Sequence, residues 1–188
     1  MKRALSCLVV VVLVGLGIGC GNKEDQIALA AMKAQAALEA RNIEVIKTLF
    51  AELGRGNASV FQTLYSPEVK YYFPSNTPTP MSRDDEIAQE RMMIAAFPDL
   101  KFQITDIFAV KDRVVVTFTA QATHKGELQG IPATGNKATI SAICLFRLKD
   151  GLVVEEVEEA DMIGFYQQLG MELRPKAPLK AGPGALRR

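Results

Sequence analysis

The residues best suited to chemistry in this sequence are carboxylates near its C-terminal end. Glu155, Glu159 and Asp161 alternate along a segment that reads as a β-strand, so a regular strand would place them on one face with Val153 and Val157. Carboxylates that share an apolar pocket repel one another and are poorly solvated, which raises the pKa of at least one of them. Such a group can remove a proton beside a carbonyl and return it later, so the spacing indicates acid–base chemistry.

Alternatives remain open for these carboxylates. Asp161 directly precedes a predicted helix at Met162, so a role as the N-cap of that helix is as well supported as contact with a substrate. Glu156 and Glu158 have the opposite parity in a regular strand. We expect these two residues to form a solvated acidic edge.

Two basic side chains are candidate partners for this acidic row. His124 is the only histidine and has the parity of the apolar residues in the preceding strand, so we expect it to face inward. It would serve either as a proton partner or as a core histidine tied to the backbone. Arg91 shares a helix face with Ile87 and Ile94, from which it would pair with Asp161 or hold an anionic ligand, or else cover the surface with its aliphatic stem.

Several classes of site lack support in the sequence. One histidine without clustered cysteines gives no metal set, so we expect no metal and no cofactor. A phosphate-binding glycine motif and a Ser–His–Asp signature are both missing. The formal net charge of the 188 residues is +1, which gives no overall field that would attract nucleic acid.

The N-terminal segment 1–19 has the pattern of an export signal, with Lys2 and Arg3 before an uncharged apolar run that is too short to cross a bilayer. Cys20 follows small residues, as in a bacterial lipoprotein cleavage site, and would carry the lipid. A plain signal peptide or a short uncleaved anchor is the alternative. We therefore expect a membrane-anchored protein of the cell envelope, on the periplasmic face of an outer membrane or on the cell surface. Cys144 would then be the only thiol free of lipid, and its strand position predicts burial.

The remaining chain predicts one α+β domain. We expect a helical tether over 20–41, the domain over 42–171 and a disordered basic tail over 172–188. Ser82 and Asp85 predict a capping box at the start of one helix. Helices precede a series of long strands, and the predicted strands cover residues 68–73, 100–110, 113–123, 138–148 and 152–160.

A series of short motifs runs along the domain. The motifs are Phe97–Asp99, Arg113–Val116, Thr123–Glu127, Gly130–Gly135, Gly151–Glu156, Asp161 and Gln167–Gly170. In order and spacing they resemble those of the SnoaL-like polyketide cyclase, or ester cyclase, group of the nuclear-transport-factor-two-like superfamily, over about residues 42–171. The resemblance implies a cone-shaped, curved antiparallel sheet wrapped around about three helices, a cystatin-like α+β barrel, with a pocket inside and a homodimer as the usual assembly.

The resemblance also implies a role for Asp161. In the cyclases of this group an aspartate at that motif position is the acid/base of an intramolecular aldol closure that needs neither metal nor cofactor. The sequence departs from the family pattern at Val157, where tryptophan is common, and at Glu159, where an apolar residue is common. Both departures argue against an aromatic polyketide substrate. Phe118 lies on the inward face of its strand and would contribute to the pocket wall together with Val157, Glu159 and Arg91.

Two functions therefore stay open, and with them the question of whether the protein is an enzyme. The first is a pocket protein that cyclises or isomerises a small carbonyl compound by carboxylate acid–base chemistry, with Asp161 as the base and His124 as its helper. The second is a non-catalytic envelope lipoprotein that binds a small ligand or a partner protein. A purely structural dimer module would instead have a filled cone.

Overall fold

The computed structural model describes residues 23–172 and 174. The chain divides into two compact units, residues 1–34 and 35–188. In the first unit, the described residues 23–34 are helical. The elements in chain order are α1 (Lys23–Leu53), α2 (Val60–Leu64), β1 (Tyr65–Tyr72), α3 (Arg83–Ala96), β2 (Lys101–Val110), β3 (Arg113–Thr123), β4 (Lys137–Lys149), β5 (Leu152–Ala160) and α4 (Met162–Gln168).

The five strands form one curved sheet in the order β1-β5-β4-β3-β2. Strands β2 to β5 pair with their neighbours in antiparallel fashion, as expected. Strand β1 pairs with β5 in parallel, so the sheet is mixed rather than wholly antiparallel. The predicted α+β class with a curved sheet is confirmed, and the described residues form four helices instead of about three.

Local sequence explains where several of these elements begin and turn. The predicted capping box is present at α3, where the Ser82 side chain accepts from the Asp85 N–H and the Asp85 side chain accepts from the Ser82 N–H. Two-residue turns join β2 to β3 and β4 to β5. Asp150 and Gly151 in the second turn both have positive φ, at 53° and 84°, which is the conformation that tight hairpins require.

The core of the second unit lies between α1 and the inner face of the sheet. Val114, Val116 and Phe118 alternate inward along β3 and are buried. They pack in one cluster with apolar residues of α1 that recur at helical spacing. Phe50 of α1 meets the Phe118 ring edge-on, with the centroids 4.8 Å apart. The buried α1 residues of this cluster are Ile46, Leu49, Phe50 and Leu53.

A β-bulge in β5 changes which side chains face that core. Leu148 of β4 pairs with Val153, but Arg147 pairs with Glu155, so Val154 is an extra residue in β5. Because side chains alternate along a strand, one extra residue moves every later side chain to the other face. The expectation that Glu155, Glu159 and Asp161 line the interior assumed a regular strand and is wrong.

The carboxylates beyond the bulge are placed the other way round. Glu156 lies opposite Phe146 and Glu158 opposite Cys144, and both of these β4 partners are buried. Glu156 itself is 6% exposed. The expectation that Glu156 and Glu158 form a solvated edge is therefore also wrong, because the bulge turns this pair inward.

Candidate functional site

The interior of the domain contains an acidic cluster, which we define as Glu86 and Glu90 of α3 with Glu156 and Glu158 of β5. Residues four apart on a helix share one face, and residues two apart on a strand share one face. The four side chains meet because these two faces are opposed. Glu86 and Glu156 are buried, at 7% and 6% exposed, and Glu90 and Glu158 are half-buried.

Two tyrosines of β1 donate to the strand half of this cluster. The Tyr65 hydroxyl donates to Glu156 Oε2 at 2.5 Å, and the Tyr71 hydroxyl donates to Glu158 Oε2 at 2.7 Å. Both tyrosines are buried. The parallel pairing of β1 with β5 places these donors beside the carboxylates, so the mixed topology builds this part of the site.

Burial dominates the electrostatics of the cluster. Removal from water raises the pKa of Glu90 to about 7 and that of Glu156 to about 8, and neighbouring carboxylates add to both effects. The pKa of Glu86 is raised well above its ordinary value for the same two reasons, and that of Glu158 is raised chiefly by burial. Within residues 23–172 and 174, none of the ion pairs includes a member of the cluster. The carboxyl groups of the cluster therefore keep their protons to a higher pH than ordinary carboxylates do.

Two small cavities adjoin these carboxylates. An acidic cavity of about 60 Å³ is lined by all four members of the cluster, by Cys144 and by aromatic rings that include Phe118. An apolar cavity of about 80 Å³ is lined by Glu90 and otherwise by hydrophobic side chains, such as Phe97 and Phe165. Glu90 is the residue that lines both. Each space can hold water molecules but is small beside the roughly 300–1,000 Å³ of typical ligand pockets.

Two oxygens of the cluster are buried without a hydrogen-bond partner: Glu86 Oε2 and Glu90 Oε1. A buried polar atom without a partner costs about 1–3 kcal/mol, so such atoms are rare unless water, an ion or a ligand supplies the contact. The unpartnered oxygens both belong to α3, opposite the tyrosine-bound carboxylates of β5. They mark the side of the cluster that is open to a further group.

Asp161 does not belong to this site. Its side chain is exposed and accepts the Gly164 N–H at 2.9 Å, so it caps α4. With Glu159 it borders an open groove of about 450 Å³ on the outer face of the sheet, beside Ser141 and Ile143. Its expected position in a water-poor chamber is wrong, because the strand before it is bulged.

The other predicted residues are distributed over the domain. Glu159 is exposed and accepts the Ser75 N–H at 3.0 Å, and Val157 is half-buried opposite Leu145, on the face away from the acidic cluster. Arg91 is exposed on α3 and does not turn inward. Of the predicted binding residues, the structure places Phe118 at the acidic cavity.

His124 is fully buried, as its parity predicted. Its Nδ1 accepts the Thr134 N–H at 3.3 Å and lies 3.2 Å from the Thr134 hydroxyl, and its ring stacks on Phe97 at 5.1 Å between centroids. Nε2 is buried without a partner. These contacts match the core histidine that the sequence left open, and among the hydrogen bonds of the described residues none joins His124 to Asp161 or to the acidic cluster.

Comparison with known proteins assigns the domain to a family. Residues 43–169 match the profile of the SnoaL-like polyketide cyclases. The chain belongs to this family. The predicted resemblance is thereby confirmed. Among curated proteins no match was found.

Solved structures of SnoaL-like and related proteins share the fold. AclR from Streptomyces galilaeus, named as a candidate hydroxylase, is 29% identical with a TM-score of 0.65, and the match covers 70% of this chain and 97% of AclR. A SnoaL-like polyketide cyclase candidate from Jannaschia sp. CCS1 has 22% identity and a TM-score of 0.65, with 72% and 96% covered. IdmH, a polyketide cyclase candidate from Streptomyces antibioticus, has 24% identity and a TM-score of 0.61, with 69% and 99% covered. The last two comparisons support the fold alone.

Sequence reasoning missed most of the site of this SnoaL-like domain. Glu86 and Glu90 did carry a signal. They lie four residues apart, so they share one face of α3, and carboxylates are rarely found on a helix face that is buried. Tyr65 and Tyr71 carried none, since tyrosines near a strand are usually part of a wall. The partnership of Cys144 with the carboxylates depends on the bulge, which the sequence does not mark.

Most predictions for the two ends of the chain concern residues outside the described ranges. The export signal over 1–19, the lipidation of Cys20 and the disorder of the tail over 172–188 remain predictions; of that tail the structure describes only residues 172 and 174. Residues 23–41 are helical, as expected, and their use as a tether also remains a prediction. Among the residues that are described, no helix is both long and apolar enough to cross a membrane.

Proposed function

We propose that this SnoaL-like domain binds a small carbonyl compound in its interior and transfers a proton with its buried carboxylates, without a cofactor. The observation that carries the proposal is the position of Glu90. Its carboxylate lies between the acidic and the apolar cavity, and its Oε1 is buried without a partner. A base at such a boundary can reach a C–H group that lies in apolar surroundings.

The arrangement supports an enolisation. Glu90 in its ionised form removes a proton from the carbon next to the carbonyl, and a pKa of about 7 keeps a useful fraction of it in each protonation state near neutral pH. Burial and the neighbouring carboxylates raise the pKa of Glu86, which favours its neutral form, and its unpartnered Oε2 marks the carboxyl group that donates a proton to the developing enolate oxygen. Return of the proton to a different carbon isomerises the compound, and attack of the enolate on a second carbonyl closes a ring.

The size of the cavities limits the substrate. Volumes of about 60 and 80 Å³ fit a compound of a few heavy atoms and do not fit an aromatic polyketide. This limit agrees with the sequence-based expectation of a small substrate. Catalysis by Asp161 with His124 stays a separate prediction, but the exposure of Asp161 removes the desolvation that would make it a strong base.

The test is hydrogen–deuterium exchange at the carbon next to the carbonyl, followed by NMR in D₂O for a panel of small ketones and 1,3-diketones. Exchange reports proton removal whatever the final product is. The native protein should accelerate exchange of at least one compound, and Glu90→Gln should lose at least tenfold of that rate. Asp161→Asn is the comparison, because it keeps a capping side chain at the exposed position.

The proposal fails if Glu90→Gln exchanges at the native rate. If Asp161→Asn loses the acceleration of exchange and Glu90→Gln keeps it, the active site is the groove on the outer face of the sheet. Asp161, the residue at the family's motif position, would then be the base instead of Glu90.

A second candidate function is ligand or partner binding without catalysis. A groove of about 550 Å³ beside α4 falls in the size range of ligand pockets and is lined mainly by apolar side chains. Ile163 and Met171 in this groove are 58% and 45% exposed. Retention of a small apolar molecule by the purified protein, detected by native mass spectrometry and lost on Ile163→Asp, would favour this function.

We also propose that the protein is a lipid-anchored homodimer of the cell envelope. The support for an anchor is the sequence before Cys20, and equal palmitate labelling of the native protein and Cys20→Ala would refute it. The support for a dimer is the outer face of the sheet, where Phe108, Val110 and Ile143 are at least 46% exposed. Ile143→Lys should convert a dimer to a monomer in analytical ultracentrifugation.

A further inference from the structure

The acidic cavity contains a set of atoms that resembles a metal-ligand set. Cys144 Sγ, one oxygen of Glu156 and one oxygen of Glu158 all lie within 4.8 Å of one another. Cys144 and Glu158 are directly opposite each other on β4 and β5, and Glu156 lies two residues along the same face. Both Cys144 and Glu156 are at least 94% buried, so the three groups are held by packed strands rather than by loops.

An independent observation shows that this cavity has room for a further polar group. Glu86, which is 7% exposed, lines the same cavity, and its Oε2 has no hydrogen-bond partner. Glu86 comes from α3, so it approaches the cavity from the side opposite β4 and β5. A buried acceptor without a donor is stabilised by a cation, or by a water molecule bound to a cation.

The groups behind the three atoms are also arranged as they are in metal sites. Ligating carboxylates in proteins usually accept further hydrogen bonds that fix their orientation. Tyr65 supplies such a bond to Glu156, and Tyr71 supplies one to Glu158. Each tyrosine occupies one oxygen of its carboxylate. The Cys144 thiol hydrogen-bonds to both carboxylates, so a metal ion would take the place of the thiol proton that now joins these groups.

We propose that the acidic cavity binds a divalent first-row metal ion through the Cys144 thiolate and the carboxylates of Glu156 and Glu158, with Glu86 as the fourth ligand, direct or through water. One sulfur with oxygen ligands suits Zn²⁺ and related ions of intermediate softness, and it does not suit Mg²⁺ or Ca²⁺, which prefer oxygen alone. Tetrahedral metal–sulfur and metal–oxygen bonds of about 2.3 and 2.1 Å place the ligand atoms about 3.4–3.6 Å apart. Atoms that now lie within 4.8 Å of one another would have to approach by up to about 1.4 Å, through side-chain rotations.

The protons balance in a simple way. Each ligand that enters protonated releases its proton to solvent, so the thiol and the two carboxylic acids release up to three protons for each ion bound. Glu86 releases a fourth proton if it binds directly as a carboxylate, and none if it binds through water. The thiolate and two carboxylates then carry three negative charges against two positive charges of the metal. The tyrosine hydroxyls, which donate to the carboxylates, partly offset the remaining negative charge.

The metal site does not depend on the proposed acid–base function. A bound ion would favour the ionised form of neighbouring carboxylates and would therefore weaken Glu90 as a base, so the metal would act as an inhibitor of that function. The expectation from sequence was that no metal set exists. The inference departs from that expectation because strand pairing unites one cysteine with two carboxylates that have no ligand spacing along the chain.

Cobalt binding to the full-length, chelator-treated protein tests the inference, because a thiolate bound to Co²⁺ gives a charge-transfer absorption that carboxylates alone do not give. One equivalent of Co²⁺ should produce this band, and Zn²⁺ should abolish it. Cys144→Ser should lose the band, because Cys144 supplies the sulfur of the proposed ligand set. Glu158→Gln should weaken Co²⁺ binding by more than tenfold, and Tyr71→Phe by about ten- to a hundredfold.

The matched control is Glu155→Gln, which removes a carboxylate from the same strand on the outer face, where Glu155 pairs with Arg147. It should bind Co²⁺ as the native protein does. The inference is overturned if the native protein binds no Co²⁺, or if Cys144→Ser keeps the band. It is also overturned if Glu155→Gln and Glu158→Gln weaken binding equally. Circular dichroism of each variant distinguishes loss of metal binding from loss of the fold. The Co²⁺ results do not depend on the deuterium-exchange results, so the two proposals can fail separately.

Discussion

Replacing Glu90 with glutamine should change how the stability of the domain depends on pH. The pKa of Glu90 is raised from 4.5 to about 7 in the folded protein, chiefly because the carboxyl group is removed from water. Between these two pH values the folded protein holds a proton that the unfolded chain has released. The contribution of this group to stability is therefore complete below pH 4.5 and is lost as the pH rises to about 7.

The magnitude follows from the same two values. A difference of about 2.5 in pKa, at 1.36 kcal/mol for each unit, corresponds to about 3 kcal/mol of unfolding free energy. Glutamine has no proton to release, so this share of the pH dependence should vanish in Glu90→Gln. Urea unfolding at several pH values between 4 and 8 measures it. The native protein should lose about 3 kcal/mol more than the variant over that range.

Glu68→Gln is the control for a change in net charge alone, because Glu68 is exposed on β1. Its pH profile should run parallel to that of the native protein. Parallel profiles for the native protein and Glu90→Gln would refute the reasoning, since they would mean that the Glu90 carboxyl group is hydrated in the folded state.

Three further changes test other parts of the structure. Asp161→Ala should cost about 1 kcal/mol in thermal or urea unfolding because α4 loses its N-cap, whereas Asp161→Asn should cost little; equal losses would contradict the capping role. Tyr65→Phe should destabilise the protein by about 1–3 kcal/mol in urea unfolding, because Glu156 loses its donor, and a neutral result would mean that water replaces the hydroxyl. Gly126→Ala should abolish soluble expression or lower the melting temperature sharply, since its Cβ would lie 2.4 Å from the Ala95 carbonyl oxygen. Gly135→Ala meets no atom within 4 Å but has a φ of 73°, so it should cost only the roughly 1–2 kcal/mol of a left-handed alanine, and an equal loss in the two variants would contradict the steric argument.

Local sequence signals predicted the fold well. The capping box at Ser82, the hairpin at Asp150 and Gly151, and the alternation along β3 each depend on residues that are close in sequence, so a single chain is enough to read them. The parallel pairing of β1 with β5 was not predicted. It joins strands that are far apart in the chain, and no local pattern distinguishes a parallel edge strand from an antiparallel one.

The candidate site was harder to predict because one residue decides it. The extra residue Val154 reverses the facing of every later side chain in β5, so a correct alternation argument gave the wrong carboxylates. Glu156 and Glu158 enter the core and Glu159 leaves it. The sequence around Val154 contains no glycine or proline that would mark a bulge, since Gly151 belongs to the turn.

The placement of four carboxyl groups in one interior demands a compensating positive charge. An ionised carboxylate in an apolar interior is very costly, and each additional one repels those already present. Lysine and arginine are not used for this purpose, since among the described residues no ion pair reaches the cluster. Protons or a metal ion must therefore balance the charge. If protons balance the charge, Glu90 and Glu86 remain available as an acid–base pair. If a metal ion bound at Cys144 balances it, that pair is no longer available. The proposed proton transfer and the proposed metal binding thus use the same cavity in two different charge states. Whether protons or a metal ion occupy the cavity at neutral pH determines which of the two the domain can perform.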